Sequence, residues 1–177
     1  MLANNIDHIW SIINYSTSPF DTRIRYLDIS LLKTMIEEIR GIVDYIIVSI
    51  HWGNEYKHCP ENETINLAHY LIDIGVNIIL GSHPHFLQTI EKYHGGLIFY
   101  SLGNFIFDQT GICQNESMMV QFIFTKQDIS VSLIPLRIEH YHPRIATSSE
   151  RKSTLERLSH WSNKSIKAEI LSGFIQI

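Results

Sequence analysis

Cysteine is scarce in this chain. Cys59 and Cys113 are the only two in 177 residues, and they form no CxxC pair. Thiolate metal frameworks are excluded, and nothing in that spacing signals an oxidising compartment. An excess of basic charge is missing too: 14 Lys and Arg are interspersed among 18 Asp and Glu, for a formal charge of -4. A nucleic-acid footprint is therefore not expected. No apolar run approaches the ~18 residues of a spanning helix, so no membrane segment is expected in this chain. The opening "MLANNIDHIW" has neither the basic nor the apolar region of a secretory signal. As written, the chain is expected to be cytoplasmic. Internal repeats and low-complexity linkers are absent as well. What is present is a 45% hydrophobic composition, enough to build one domain's core without covalent staples, and ten histidines.

The apolar pattern orders the middle of the chain. Asp28 stands before Ile29, Leu32, Met35, Ile36 and Ile39, with Gly41 after them; this predicts a capped amphipathic helix. "DYIIVSI", Asp44 to Ile50, reads as a strand buried on both faces. Asn62 to Gly75 predicts a second helix with Ile65, Leu67, Ala68, Leu71 and Ile74 on its apolar face. "VNIIL" then reads as a second buried strand. Strand, helix, strand over about 35 residues is a βαβ unit with parallel strands and a right-handed crossover. Two hairpins follow. One joins "LQTIEKY" to "LIFYSLGNFIF" through Gly95 and Gly96, and the other joins "SMMVQFIFTK" to "ISVSLIPLRIEHY" near Gln127 and Asp128. "SPFDTR", Ser18 to Arg23, reads as a loop, and "SSERKSTLERLSHWSNKS" as a polar C-terminal helix. The class is α/β with a mixed sheet.

The histidines gain meaning on that frame. His51 follows the first buried strand; His83 and His85 follow the second, after Gly81 and Ser82. Ligands of open α/β sheets bind beyond the carboxyl ends of parallel strands, so three imidazoles can face one point. Pro84 pushes His83 toward an extended conformation, in which residues two apart point the same way. Neutral imidazole is a common ligand of Zn, Fe and Mn. Glu55 and Glu91 are candidates for orienting these histidines by hydrogen bonds. Asn104 and Asp108, in "YSLGNFIFD", are candidates for the rim. Each of these four also has an ordinary reading as a solvated carboxylate or a turn residue. His58, His69, His94, His140, His142 and His160 read as ordinary loop, terminal or helix-surface residues.

Three ordered stretches, "HWGNEY", "GSHPHFLQTIE" and "YSLGNFIFDQ", resemble the motifs of the bacterial CapA family of capsule, or poly-γ-glutamate, synthesis proteins. The resemblance runs from about Ile29 to Pro143. It implies a calcineurin-like metallophosphoesterase fold, an αββα sandwich holding two metal ions. His51 would match that fold's lone metal histidine, and His83 and His85 its Gly-x-His-x-His pair. The ligands that such proteins carry before the lone histidine have no match: there is no Gly-Asp motif, and "ANNID", Ala3 to Asp7, lacks a histidine beside Asn5. The expectation is therefore an incomplete αββα sandwich with mixed sheets. Residues 1–143 would form the partial domain and residues 144–177 a helical extension.

What the resemblance implies about function follows the same lines. A metal-dependent hydrolase would act on an anionic polymer or a phosphoester-type small substrate. The metal would be Mn, Fe or Zn, as one ion rather than two, because three neutral histidines can hold one cation but do not balance the charge of a pair. No side chain is assigned as catalytic. The alternatives are a non-catalytic polymer- or partner-binding assembly protein, or an inactive truncated fragment. Unpaired strand edges predict marginal stability or oligomers, or completion by a missing N-terminal half. If a longer chain carries an anchor, the compartment becomes the outer face of the cell envelope.

Overall fold

The computed structural model of the chain describes residues 12–16 (as a backbone strand), 28–109, 111–125 and 128–177. The loop expected at Ser18 to Arg23, the Ala3 to Asp7 stretch and Gln127 lie outside the described residues. Helix α1 spans Ile29–Ile39, and the Asp28 carboxylate accepts from the amides of Ser30 and Leu31 at 3.0 and 3.1 Å. That cap satisfies two of the amides a helix start leaves open. Leu32 and Ile36, one turn apart, are fully buried. Helix α2 spans Asn62–Asp73 and buries Ala68, Leu71 and Ile72.

Strands β2 (Ile47–His51) and β3 (Ile78–Ser82) flank α2 and pair in parallel, as the βαβ pattern predicts. Both strands begin later than their apolar runs. Ile46 is held by Asn77 instead, its amide donating to Asn77 Oδ1 at 2.8 Å while its carbonyl accepts from the Asn77 amide at 2.9 Å. The shift makes His51 the last residue of β2, paired with Ser82. Strand β1 (Ile12–Ser16) adds in parallel to β2. Strands β4 (Ile90–Tyr93) and β5 (Gly96–Phe99) form the first hairpin, with β5 parallel to β3. The sheet order is β1-β2-β3-β5-β4.

The turn of that hairpin differs from expectation by one residue. His94 and Gly95 occupy its centre, with φ of +45° and +85°, as a two-residue turn with left-handed central residues requires. Gly96 is already in β5, where an added Cβ would meet Ile72 Cδ1 at 2.6 Å.

A second sheet, all antiparallel, holds β6 (Glu116–Phe124), β7 (Ile129–Glu139), β8 (His142–Ile145) and β9 (Phe174–Gln176), with β7 pairing all three others. Two apolar cores result. One lies where α1 and α2 cover the first sheet, around Leu32, Ile36, Val48, Ile50, Leu71 and Tyr100. The other joins the opposite face of that sheet, through Ile78, Leu97 and Phe99, to Met118, Val131 and Leu133 of the second. Mixed α/β layering of this kind is a partial sandwich.

The C-terminal segment contains α3 (Ser148–Trp161) and α4 (Lys167–Ser172), followed by β9. Thr147 and Glu150 form a reciprocal capping box at the start of α3. Leu155, Leu158, Ile166, Ile170 and Ile175 enter the second core. These few apolar positions, two in the polar α3 and the others in the turn, helix and strand after it, tie the segment to the core around β7.

Candidate metal centre

One side chain links the strand ends that carry the histidines. Trp52 follows β2 and is 1% exposed. Its indole Nε1 donates to the carbonyl of Tyr100, just past β5, at 2.9 Å. Between them runs Gly81 of β3, where a Cβ would lie 2.0 Å from that carbonyl oxygen and 2.6 Å from Nε1. Only glycine lets the indole cross the strand to its acceptor. The Trp52 amide also donates to Ser82 O at 3.1 Å, and the Leu102 amide to Gly81 O at 3.1 Å. The loops after β2, β3 and β5 are thereby fixed to one another.

Those loops bring His51, His83 and His85 together. The rings of His51 and His83 are 4.5 Å apart, and those of His83 and His85 6.0 Å. The route is not the extended one that Pro84 predicts. His83 has φ +101° and His85 φ +59°. Each such non-glycine residue costs roughly 1–3 kcal/mol and persists where its surroundings enforce it. Here the Tyr56 amide donates to the carbonyl of Pro84, between the two histidines, at 2.8 Å. Tyr56, at φ +62°, and Gly53, at φ +79°, fold their own loop back to reach it.

That fold-back carries Glu55 into the cluster. Ligand atoms of Glu55, His83 and His85 all lie within 4.8 Å of one another. Glu55 Oε1 and His85 Nε2 are 3.9 Å apart, too far for a hydrogen bond. Two ligands sharing one cation through bonds of ~2.1 Å are separated by about 3.0–4.2 Å, so the gap fits a shared ion. Sequence reasoning placed Glu55 among the orienting residues; the signal for a closer role was Gly53, which permits the reversal.

Hydrogen bonds around the rings fix which nitrogen faces the gap. Asn104 is 7% exposed. Its amide nitrogen donates to Gln114 O at 3.2 Å and to Gln109 Oε1 at 3.4 Å. Its oxygen therefore faces His85 Nδ1, at 2.7 Å, and accepts from it. That assignment leaves the lone pair of His85 on Nε2, toward Glu55. Similarly, Ser82 Oγ donates to Ile50 O at 3.3 Å and contacts His51 Nδ1 at 3.3 Å. Burial pulls the His83 imidazole below its ordinary pKa; Glu55 opposes this and His85 adds to it. The neutral form, the one that ligates metal, is thus favoured.

The other expected residues are divided. Asn104 orients His85, as just described. Asp108 is exposed and stands outside the cluster. Glu91 is directed away, accepting from Tyr100 Oη at 2.7 Å with His69 Nε2 at 3.2 Å. Sequence reasoning missed the aromatic wall of the site. The ring of Tyr56 lies 5.9 Å from that of His85, and Phe107 lies 4.9 Å from it on the other loop. Gln109 Nε2 donates to Tyr56 Oη at 3.1 Å, joining the two loops.

Among the described residues no helix is long and apolar enough to cross a membrane. Among solved structures, a single mutant of Vps29 from Entamoeba histolytica aligns over 76% of this chain and 96% of its own, at 10% identity and a TM-score of 0.34; a likeness that slight carries no argument. Sequence relatives are nearer. The chain is 36% identical over 140 residues to the capsule biosynthesis protein CapA of Bacillus anthracis, covering 74% of this chain and 34% of that protein. It is 36% identical over 145 residues to the PGA biosynthesis protein CapA of Bacillus subtilis, covering 80% and 38%. A probable polyglutamine synthesis accessory protein of Mycobacterium tuberculosis is 30% identical over 128 residues, covering 66% and 34%. The chain thus spans little more than a third of these relatives' length. The model of the bacterial capsule synthesis protein family PGA_cap matches residues 5–109, more than half of the chain, and takes in every residue of the cluster. The chain belongs to that family.

Proposed function

We propose that this chain carries the histidine side of a divalent-metal centre, serving a phosphoesterase-type hydrolytic step in capsule or poly-γ-glutamate synthesis. The supporting observation is the convergence of Glu55, His83 and His85 within 4.8 Å, with His85 Nε2 turned toward Glu55 by Asn104. Glu55, His83 and His85 would hold the ion, with His51 beside them. Mn, Fe and Zn all suit a set of imidazoles and one carboxylate. Bound there, such an ion supplies Lewis acidity toward a phosphoryl or carbonyl oxygen and toward water. The chain's own residues favour neutral His83, fix the tautomer of His85 and wall one side with Tyr56 and Phe107. The substrate class is an anionic polymer or phosphoester that the positive ion would attract.

One carboxylate and neutral imidazoles balance the charge of one divalent ion in part, and of two poorly. The reading is therefore one ion per chain. Metal content of the purified, folded chain tests it, beside a His83→Ala, His85→Ala double variant. About one ion per chain, lost in the double variant, is expected. A folded wild-type chain that binds no Mn, Fe or Zn overturns the reading and leaves a polymer- or partner-binding role.

A further inference from the structure

A second cluster of titratable side chains lies off the metal centre, on the edge strand β4. Glu91 faces the side of the sheet that α2 covers, and its side chain is 15% exposed. Tyr100 Oη donates to Oε2 at 2.7 Å, and Asn163 Nδ2 donates to Oε1 at 3.3 Å. His69 Nε2 lies 3.2 Å from Oε2, yet this nitrogen is buried and makes no hydrogen bond. Among the described residues, neither lysine nor arginine pairs with this carboxylate; its one ion-pair neighbour is His69. Tyr100 remains a donor because burial, and then Glu91 itself, push its hydroxyl far above the ordinary range.

A carboxylate offers about four lone-pair sites, and two donors occupy this one. Glu91 lines a cavity of about 200 Å³ between α2, β4 and the end of α3. Its walls include Ile65, Pro60 and the indole of Trp161. Trp161 is held in place by His58, whose ring stacks on it at 4.0 Å and 17°. Cys59, which is exposed, stands among the lining residues. At ~30 Å³ per water, the space takes about six non-hydrogen atoms.

Those features select one ligand chemistry. A carboxylate withdrawn from water beside an imidazole, with neither lysine nor arginine to pair it among the described residues, favours a ligand that brings a permanent charge. Its open lone pairs favour N–H donors. Aromatic faces attract the cation, and apolar walls take a short alkyl body. We propose that this cavity binds a small organic ammonium group, with Glu91 as its counter-charge. The site is separate from the metal centre and uses none of its proposed ligands.

The test is titration of the 15N-labelled chain with n-butylammonium, followed at the Trp161 indole resonance, with 1-butanol as the neutral isostere. A saturable shift with n-butylammonium and none with 1-butanol is expected. Glu91→Gln keeps an acceptor for Tyr100 but removes the charge, and should weaken binding about tenfold or more. Cys59→Phe fills the cavity without touching the Glu91 hydrogen bonds, and should abolish the shift while leaving the fold unchanged by circular dichroism. No saturable shift in the folded wild type, equal binding of 1-butanol, or undiminished binding in either folded variant overturns the proposal. Should Glu91→Gln fail to fold, Cys59→Phe and the 1-butanol comparison decide alone.

Discussion

Replacing Asn104 with alanine should weaken metal binding without unfolding the chain. The residue makes three hydrogen bonds: it accepts from His85 Nδ1 at 2.7 Å and donates to Gln114 O at 3.2 Å and Gln109 Oε1 at 3.4 Å. The shortest of them fixes the tautomer of a proposed ligand. Without it, His85 is free to protonate Nε2 and carry its lone pair away from Glu55. Loss of such an orienting contact typically costs 10–100-fold in metal affinity, about 1.4–2.7 kcal/mol. The two weaker bonds hold the loop, and their loss should destabilise the fold by about 1–2 kcal/mol. Zn and Mn affinities are to be measured by chelator competition, with the His85 tautomer read from long-range 15N NMR. Asn104→Asp retains an acceptor opposite Nδ1 and should recover much of the affinity. A folded Asn104→Ala chain that binds metal within about twofold of the wild type would refute the argument that Asn104 orients the ligand.

Gly81→Ala should lower thermal stability sharply. The new Cβ would collide with Tyr100 O and Trp52 Nε1, combining overpacking with a lost buried hydrogen bond for about 3 kcal/mol or more. At ~2–4 °C per kcal/mol, the melting temperature should fall by about 10 °C in calorimetry; a shift of about 1 °C or less would contradict the packing described. Glu150 offers a test by pH. The Arg144 guanidinium, and then the Thr147 amide, hold its carboxyl far below the usual range. A depressed folded-state pKa contributes stability that is complete above the unfolded value, ~4.3, and declines as pH falls below it. Urea denaturation should therefore show the gap between wild type and Glu150→Gln shrinking from pH 6 to pH 3. A gap that widens over that interval would mean the capping box does not hold the charged form.

Local signals were legible where one residue type serves one local purpose. Asp28 before an apolar stripe gave the cap and helix of α1. The run of β-branched residues after Gly75 gave β3, and with β2 and α2 it gave a parallel unit whose strand ends carry the histidines. The first hairpin was legible from its glycines, though displaced by one position, and the second from its two apolar runs. Glycine's freedom can be spent on a left-handed turn or on close packing, and Gly96 is used for packing against Ile72. Backbone geometry enforced from a distance was not legible. Pro84 locally favours an extended His83, but the tie from Tyr56 to its carbonyl holds His83 and His85 at positive φ. The same tie brings Glu55 inward, whereas Glu91, from the same motif stretch as the histidines, sits on a strand that turns it toward α2. No spacing rule separates two such carboxylates, because what divides them is the direction of a loop and the face of a strand.

The contact of Trp52 with Tyr100 across Gly81 has a consequence for anyone wishing to move this centre into another scaffold. Three short segments, at residues 50–56, 81–85 and 100–104, lock together as one rigid insert, and transferring the histidines alone would leave them without their alignment. For the same reason, positions 52 and 81 should hold tryptophan and glycine together, whereas residue 100 contributes only its main-chain carbonyl to the contact. Family members should accordingly inherit the tryptophan and the glycine as a pair, even where the surrounding loops diverge.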